Sequence, residues 1–244
     1  DILPEIMIEM LCKNAGISLP KDQLLALGRF TEMVEAKNKV LNLTSIRDPR
    51  EFMIKQVLNS LFFRKFVSLK SGSMVADLGT GGGFPGIPLA IAHPDSHFWL
   101  VDSVQKKVKA VEEFAHQLGL DNVKTSSERL ETLGHYSEYR GRFDVVTAQA
   151  LAPLPVLLEL ATPLVKTEGL FVAFKGPNYV EELAQSRRAM AELKLHAPII
   201  ESYSLPDNMG DRFLLIFKKT NGTPLKYPRG IGVPNKHPLL TIDM

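Results

Sequence analysis

Residues 77–88 read Asp-Leu-Gly-Thr-Gly-Gly-Gly-Phe-Pro-Gly-Ile-Pro, five glycines and two prolines in twelve positions. Such a segment resists becoming either helix or strand, because glycine is entropically costly in both and proline lacks a backbone donor. It is flanked by the apolar runs Met74-Val75-Ala76 and Leu89-Ala90-Ile91-Ala92. Strand, glycines, helix is the order of a strand-to-helix crossing. In an open parallel sheet, ligands bind beyond the carboxyl ends of the strands. Glycines at that point admit positive φ and remove the Cβ that would keep a ligand off the backbone. The first helical turn adds unpaired N–H groups.

Around this turn the chain alternates between short apolar runs and helical stretches. Residues 74–78, 97–102, 122–126, 143–150 and 169–176 read as buried strands. Residues 197–205 and 212–219 read as a closing antiparallel pair. The pattern predicts the α/β class, a Rossmann-like, mostly parallel seven-stranded sheet covered on both faces. Residues 3–67 read instead as helices. Pro4 opens the first, Leu24, Leu25, Leu27, Phe30, Met33 and Val34 recur at helical spacing, and residues 49–67 form a third segment. Helices this short need a partner, so they are expected to be a cap. The expected organisation is a helical cap over 1–70, a ligand-binding domain over 71–219 and an extended basic tail over 220–244.

No Gly-Lys-Ser/Thr closes the glycine turn, which excludes the nucleoside-triphosphate loop. Gly81-x-Gly83-x-x-Gly86 with Asp102 about twenty residues on matches the dinucleotide fingerprint. An acid at Asp102 can hold a ribose diol of NAD or of S-adenosylmethionine. Asp77, two residues before the first glycine, favours the latter, since a carboxylate suits an amino-acid ammonium and repels a pyrophosphate. The chain also shows no Lys, Tyr or His constellation for hydride transfer. Beyond the third strand, Ser126, Ser127 and Glu128 are expected near an adenine edge. Gln149, between two alanines at the end of the fourth strand, faces the position of a transferred methyl group, and Lys175 ends the fifth.

Composition narrows the classes further. One cysteine, Cys12, excludes an internal disulfide and a multi-thiolate metal site, and makes a reducing cytoplasmic compartment the default. The absence of a long apolar run and the acids near the N-terminus argue against a membrane span and a signal peptide. A formal charge of +2 is too small to identify a partner, but its distribution is uneven. Residues 29–65 hold eight Lys/Arg against four acids, and residues 218–244 hold five against Asp243 alone. Two such regions beside a ligand mouth would clamp phosphates.

The stretches DLGTGGGFPGIPLAI (77–91), LVDSVQKKVKAVEEF (100–114), FDVVTAQALAPL (143–154) and GLFVAFKG (169–176) closely resemble the bacterial 16S rRNA guanine-N7 methyltransferases known as RsmG or GidB. The likeness extends through NKVLNLTSIRDP (38–49) and YPRGIGVPNKHPL (227–239), so it covers essentially the whole chain. It implies a Class I S-adenosylmethionine-dependent methyltransferase acting on small-subunit rRNA or the 30S particle. On that likeness Gly79 and Phe84 line the cofactor pocket, Asp102 and Ser103 lie by the ribose, and Leu130 with Glu131 lie near adenine. Asp77, Gly81 and Gly83 support the same pocket. Where relatives usually carry Arg, this chain has Gln149; their usual His and Asp are Gln56 and Asn59; and Lys37 replaces an aromatic.

Guanine N7 carries an in-plane lone pair and no proton, so no general base is expected. Gln149 and Lys175 are the candidates at the reaction centre, as positioning groups. Pyrimidine C5 methylation would need a thiolate, and Cys12 sits in the first helix as a packed thiol. Asn38, Lys55, Lys226, Tyr227 and Arg229 are the candidate RNA contacts, with Tyr227 stacking on an exposed base. A monomer without a metal is expected. The alternatives are a non-catalytic or weakly active RNA-binding relative, motivated by Gln149 and Gln56, and an NAD-dependent oxidoreductase.

Overall fold

A computed structural model of the chain describes residues 1–242; the last two residues of the expected tail lie outside the described residues. The chain forms two compact units. Among the described residues, the first comprises 1–73, 80–127 and 204–210, and the second comprises 74–79, 128–203 and the residues from 211 onward.

In the first unit, α1 (Pro4–Asn14) packs on α2 (Lys21–Asn38). Leu24, Leu27, Phe30 and Val34 of α2 recur every three or four residues and are buried, the stripe that makes a helix dock, whereas Leu25 lies off that stripe and is exposed and Met33 is half-buried. The segment read as one helix over 49–67 is divided. It runs as α3 (Pro49–Phe52), capped by Asp48 accepting the Glu51 N–H, a π-helical stretch at Met53–Leu58, α4 (Asn59–Leu61) and α5 (Phe63–Phe66). The wider π turn buries Met53, Ile54, Val57 and Leu58 together, a departure that periodicity of 3.6 does not signal. Helices α6 (Gly86–Ala92) and α7 (Gln105–Gln117) and strands β2 (His97–Val101) and β3 (Val123–Ser126) complete the unit. Strands β2 and β3 pair in parallel, with Phe98 beside Val123 and Val101 beside Ser126. Burial pushes the Cys12 thiol up to about 12, so it is an unreactive packed group.

The second unit is built on β1 (Met74–Leu78), β4 (Phe143–Gln149), β5 (Val165–Lys175), β6 (Ile199–Ser204) and β7 (Asp211–Lys218). Helices α8 (Leu130–Leu133), α9 (Leu154–Ala161), α10 (Tyr179–Ala184), α11 (Arg187–Glu192) and α12 (Val233–Lys236) surround it. Strand β1 pairs in parallel with β4, β4 in parallel with β5, and β5 antiparallel with β7. The α9 sequence LPVLLELA is buried throughout, Glu159 included.

The seven strands form one sheet in the order β3-β2-β1-β4-β5-β7-β6. The chain runs outward from β1 to β3 and returns on the other side of β1 at β4. This reversal is the topological switch point at which open α/β sheets bind ligands.

Candidate functional site

The switch point lies between β1 and β4. Their register pairs Asp77 with Thr147 and Leu78 with Ala148; Gly79 follows the last paired residue of β1, while Gln149 ends β4 still in register with Phe174 of β5. Asp77 has no exposed surface and accepts a 2.9 Å hydrogen bond from the Thr147 hydroxyl. Its carboxylate is thus enclosed at the end of β1, beside the start of the glycine turn.

Gly79 leaves the strand at φ +65°. A Cβ here would fall 2.5 Å from Leu151 Cδ1. The space that the sequence reading kept for a ligand is shared with a side chain from the loop after β4. Nothing in the sequence marked Leu151.

The turn continues into the first unit. Gly81 and Gly83 also have positive φ, +56° and +102°, and a Cβ on Gly83 would fall 2.8 Å from Ile87 Cγ1. The Thr80 N–H donates to Val101 O at 2.9 Å, tying the turn to the end of β2. Gly81 N–H donates to Asp102 Oδ2 at 2.9 Å, and Val104 N–H to Asp102 Oδ1 at 2.9 Å. Each Asp102 oxygen keeps further acceptor capacity, because an ionised carboxylate offers about four lone-pair sites. The acid and the glycine turn named from sequence are thus joined directly. Ser103 follows Asp102 and is exposed. Phe84 is buried, with its ring 5.2 Å from Phe30 and 5.6 Å from Phe52 between centroids. It belongs to an aromatic cluster of the first unit.

The remaining residues fall into two groups. Glu131 is buried and paired with Arg129, while Leu130 is half-buried. Gln149 is half-buried, and Ala150 after it is exposed with φ +42°. Lys175 Nζ donates to Ala152 O at 3.2 Å and to Glu182 Oε1 at 3.0 Å. Sequence reasoning missed Glu182, whose partner stands seven residues away across a loop.

Three RNA candidates need correction. Tyr227 is 2 % exposed and its hydroxyl donates to Glu192, so its ring offers no face to a base. Arg229 is engaged by the fully buried Glu159, with its NH2 group 2.7 Å from Oε1 and its own N–H 2.8 Å from Oε2. A second bond from that guanidinium goes to His237 O. Asn38 is buried; its Oδ1 accepts the N–H groups of Leu43 and Thr44 and its Nδ2 donates to Thr44 O. Asn38 and Arg229 hold backbone, and Tyr227 holds the Glu192 carboxylate. Lys226 is exposed over the Tyr227 ring, and Lys55 is half-exposed and paired with Glu51.

The residues present fit a nucleoside cofactor carrying an amino acid. Gly79, Gly81 and Gly83 place three positive-φ positions without a Cβ in a five-residue span, and Asp102, an acid with spare acceptor capacity, accepts the Gly81 N–H. Among the described residues no helix is long and apolar enough to cross a membrane.

Comparison with known proteins agrees with this geometry. Residues 23–208 match the family model GidB, described as rRNA small subunit methyltransferase G. The chain is 38 % identical over 224 residues to ribosomal RNA small subunit methyltransferase G of Bacillus subtilis (strain 168), covering 92 % of this chain and 94 % of that protein. It is 42 % identical over 211 residues to the protein of the same name from Deinococcus radiodurans, covering 86 % and 83 %. Among solved structures, an S-adenosylmethionine-dependent O-methyltransferase from Thermotoga maritima matches with a TM-score of 0.52 at 16 % identity, covering 78 % of this chain and 73 % of that one. A 16S rRNA (adenine(1408)-N(1))-methyltransferase variant from Catenulisporales acidiphilia gives 0.51 at 16 % identity, covering 63 % and 88 %. At these identities the two structures speak for the fold alone.

Proposed function

Because the chain belongs to the rRNA small subunit methyltransferase G family, we propose that it transfers the methyl group of S-adenosylmethionine to N7 of a guanine in small-subunit (16S) rRNA. The observation that carries this reading is the positive-φ glycine turn that follows β1 at the switch point, with Asp102 accepting the Gly81 N–H of that turn.

When bound, S-adenosylmethionine supplies an electrophilic methyl on a sulfonium. Gly79, Gly81 and Gly83 would let its amino-acid portion approach the backbone. Asp102 would accept hydrogen bonds from the ribose diol, with Ser103 beside it, and Leu130 and Glu131 would flank the adenine. The chain need supply no base, since N7 has no proton to lose. What remains is alignment, which can account for about 7–11 kcal/mol of a barrier when two reactants are held in line. Gln149 suits that role, because its amide can donate to guanine O6, on the same edge as N7. It lacks the fixed charge of the arginine usual in relatives, so it orients the purine without adding electrostatic pull.

Lys226 and the cations of residues 29–65, Lys55 among them, would meet phosphates. Such contacts give affinity without reading sequence, so selectivity would rest on the shape of the particle. A structured guanine would have to turn out of its stack at a cost of a few kcal/mol. An acceptor of this kind makes the cytoplasm the place of action.

Incubation with tritiated S-adenosylmethionine and small-subunit particles lacking the modification tests this reading. Digestion to nucleosides should return the label as 7-methylguanosine. Label in another nucleoside would move the chemistry elsewhere, and cofactor binding without label would favour a non-catalytic RNA-binding relative.

A further inference from the structure

We propose that Lys175 and Glu182 form a positioning clamp that sets the loop after β4, and through it Gln149, for methyl transfer. The loop runs from Gln149 to Pro153 and lies entirely in the second unit. It begins with a conformation that its sequence does not favour. Ala150 has φ +42°, in the left-handed region that side chains with a Cβ avoid. Such a residue stays there only when its surroundings over-determine it, and here three contacts do so.

Leu151 is seated on Gly79, within 2.5 Å of where a Cβ would stand, and this seat exists only because Gly79 has none. Lys175 Nζ donates to Ala152 O at 3.2 Å. Glu182 Oε1 accepts both Lys175 Nζ at 3.0 Å and the Leu154 N–H at 2.9 Å, the latter an otherwise orphaned donor of the first turn of α9. One carboxylate oxygen thus joins the end of β5, the start of α10 and the start of α9. The lysine carries the same network two residues back, from Leu154 to Ala152 in the loop. The Lys175 side chain is 10 % exposed and Glu182 26 %, so the pair is partly withdrawn from solvent.

The consequence concerns Gln149. It is the last residue of β4, its backbone held in register with Phe174 of β5, and the left-handed Ala150 sets the path by which the loop departs directly after it. Releasing Ala152 and Leu154 would let Ala150 relax towards ordinary backbone and would move the loop that borders the Gln149 amide, loosening its alignment with the acceptor. Lys175 is accordingly a positioning residue and touches no reacting atom. Glu182, on a helix that no motif singled out, is its obligatory partner. The inference rests on the proposed function for the identity of the reaction but not for the existence of the clamp.

The test is Lys175→Met, Lys175→Arg, Glu182→Leu and the double variant Lys175→Met/Glu182→Leu, each read in two ways. Hydrogen exchange over residues 149–154 reads the clamp without any substrate. Single-turnover methyl transfer, beside calorimetric binding of S-adenosylhomocysteine, reads its effect on the reaction. Faster exchange is expected in both single variants. Turnover should fall by about 10- to 100-fold, as displacement of a positioning group produces, with cofactor affinity changed by less than about threefold. Lys175→Arg should recover most of the turnover, since a guanidinium can span the same two oxygens. The double variant should be no slower than the slower single variant. Unchanged exchange in Lys175→Met overturns the clamp. A loss confined to cofactor affinity, or multiplicative effects in the double variant, overturns its positioning role. Wild-type protein that transfers no methyl while its loop responds to Lys175→Met overturns the functional reading and, with it, the role of the clamp in that reaction.

Discussion

Two stretches of this chain are rich in glycine and proline, residues 77–88 and residues 220–242, and they are held in opposite ways. In the first, the backbone carries the instruction. Gly79, Gly81 and Gly83 take positive φ, and the space around Gly79 and Gly83 has no room for a Cβ. In the second, Gly232 alone takes a positive φ, +79°, and a Cβ on Gly222, Gly230 or Gly232 would meet nothing closer than 3.9 Å. There the conformation is imposed from outside. The Arg140 guanidinium donates to the carbonyls of Gly134, Thr223, Pro224 and Tyr227, Glu159 grips Arg229, and Glu192 takes the Tyr227 hydroxyl. Similar composition therefore serves two purposes, approach to a ligand in one case and a strap bound by buried charges in the other.

The contrast breaks most visibly at Arg229. Replacing it with alanine leaves Glu159 buried without its guanidinium, which should cost about 3–5 kcal/mol of stability. Urea unfolding measures this, and a loss under about 1 kcal/mol would mean that the strap is not held by this pair. Next in size is Gly83→Ala in the turn. The left-handed backbone and the approach to Ile87 together should cost about 2 kcal/mol, seen as a lower midpoint in thermal melting. A wild-type melting curve would show that the turn tolerates a Cβ and that the contrast is overstated.

Tyr227→Phe removes one hydrogen bond to a carboxylate and should cost about 1.5–3 kcal/mol if Glu192 is left without a substitute, less if water replaces it. Affinity for small-subunit particles should stay unchanged, because the ring is buried. A drop in that affinity without a loss of stability would restore the base-stacking role given to this residue from sequence. The smallest effect is expected at Gly222. Alanine there should change stability by no more than about 0.5 kcal/mol, which chemical denaturation resolves. A penalty like that of Gly83 would erase the distinction between the two stretches.

The same distinction explains what could be read in advance. Strands such as residues 74–78 and 143–149 announce themselves as short apolar runs, and the glycine turn announces itself by composition, because both properties are local. Asp102 was found by its distance from the glycines, and its bond to Gly81 N–H follows from the strand-to-strand geometry of the fold. Asn38 carried a local signal that was misread. An asparagine five to six residues before the backbone it binds is a turn-former, and its place in a basic segment suggested RNA instead.

The strap was illegible for a different reason. Glu159 and Arg229 stand 70 residues apart, and Arg140 and Tyr227 stand 87 apart, so neither member of a pair signals the other. Ala150 was illegible as well, since nothing in Ala148-Gln149-Ala150 announces a left-handed residue. Its conformation depends on Lys175 and Glu182, and those become visible only when the strands are assembled.

The central claim is that the glycine turn and Asp102 hold a methyl donor. Calorimetric titration of the intact chain with S-adenosylhomocysteine, and in parallel with NADH, tests it most directly. One saturable site is expected for S-adenosylhomocysteine, weakened by about 10- to 100-fold in Asp102→Ala, the loss expected for a hydrogen bond to a charged group. NADH should give no comparable heat. Tighter binding of NADH, or no binding of S-adenosylhomocysteine by the folded wild-type chain, would contradict the account.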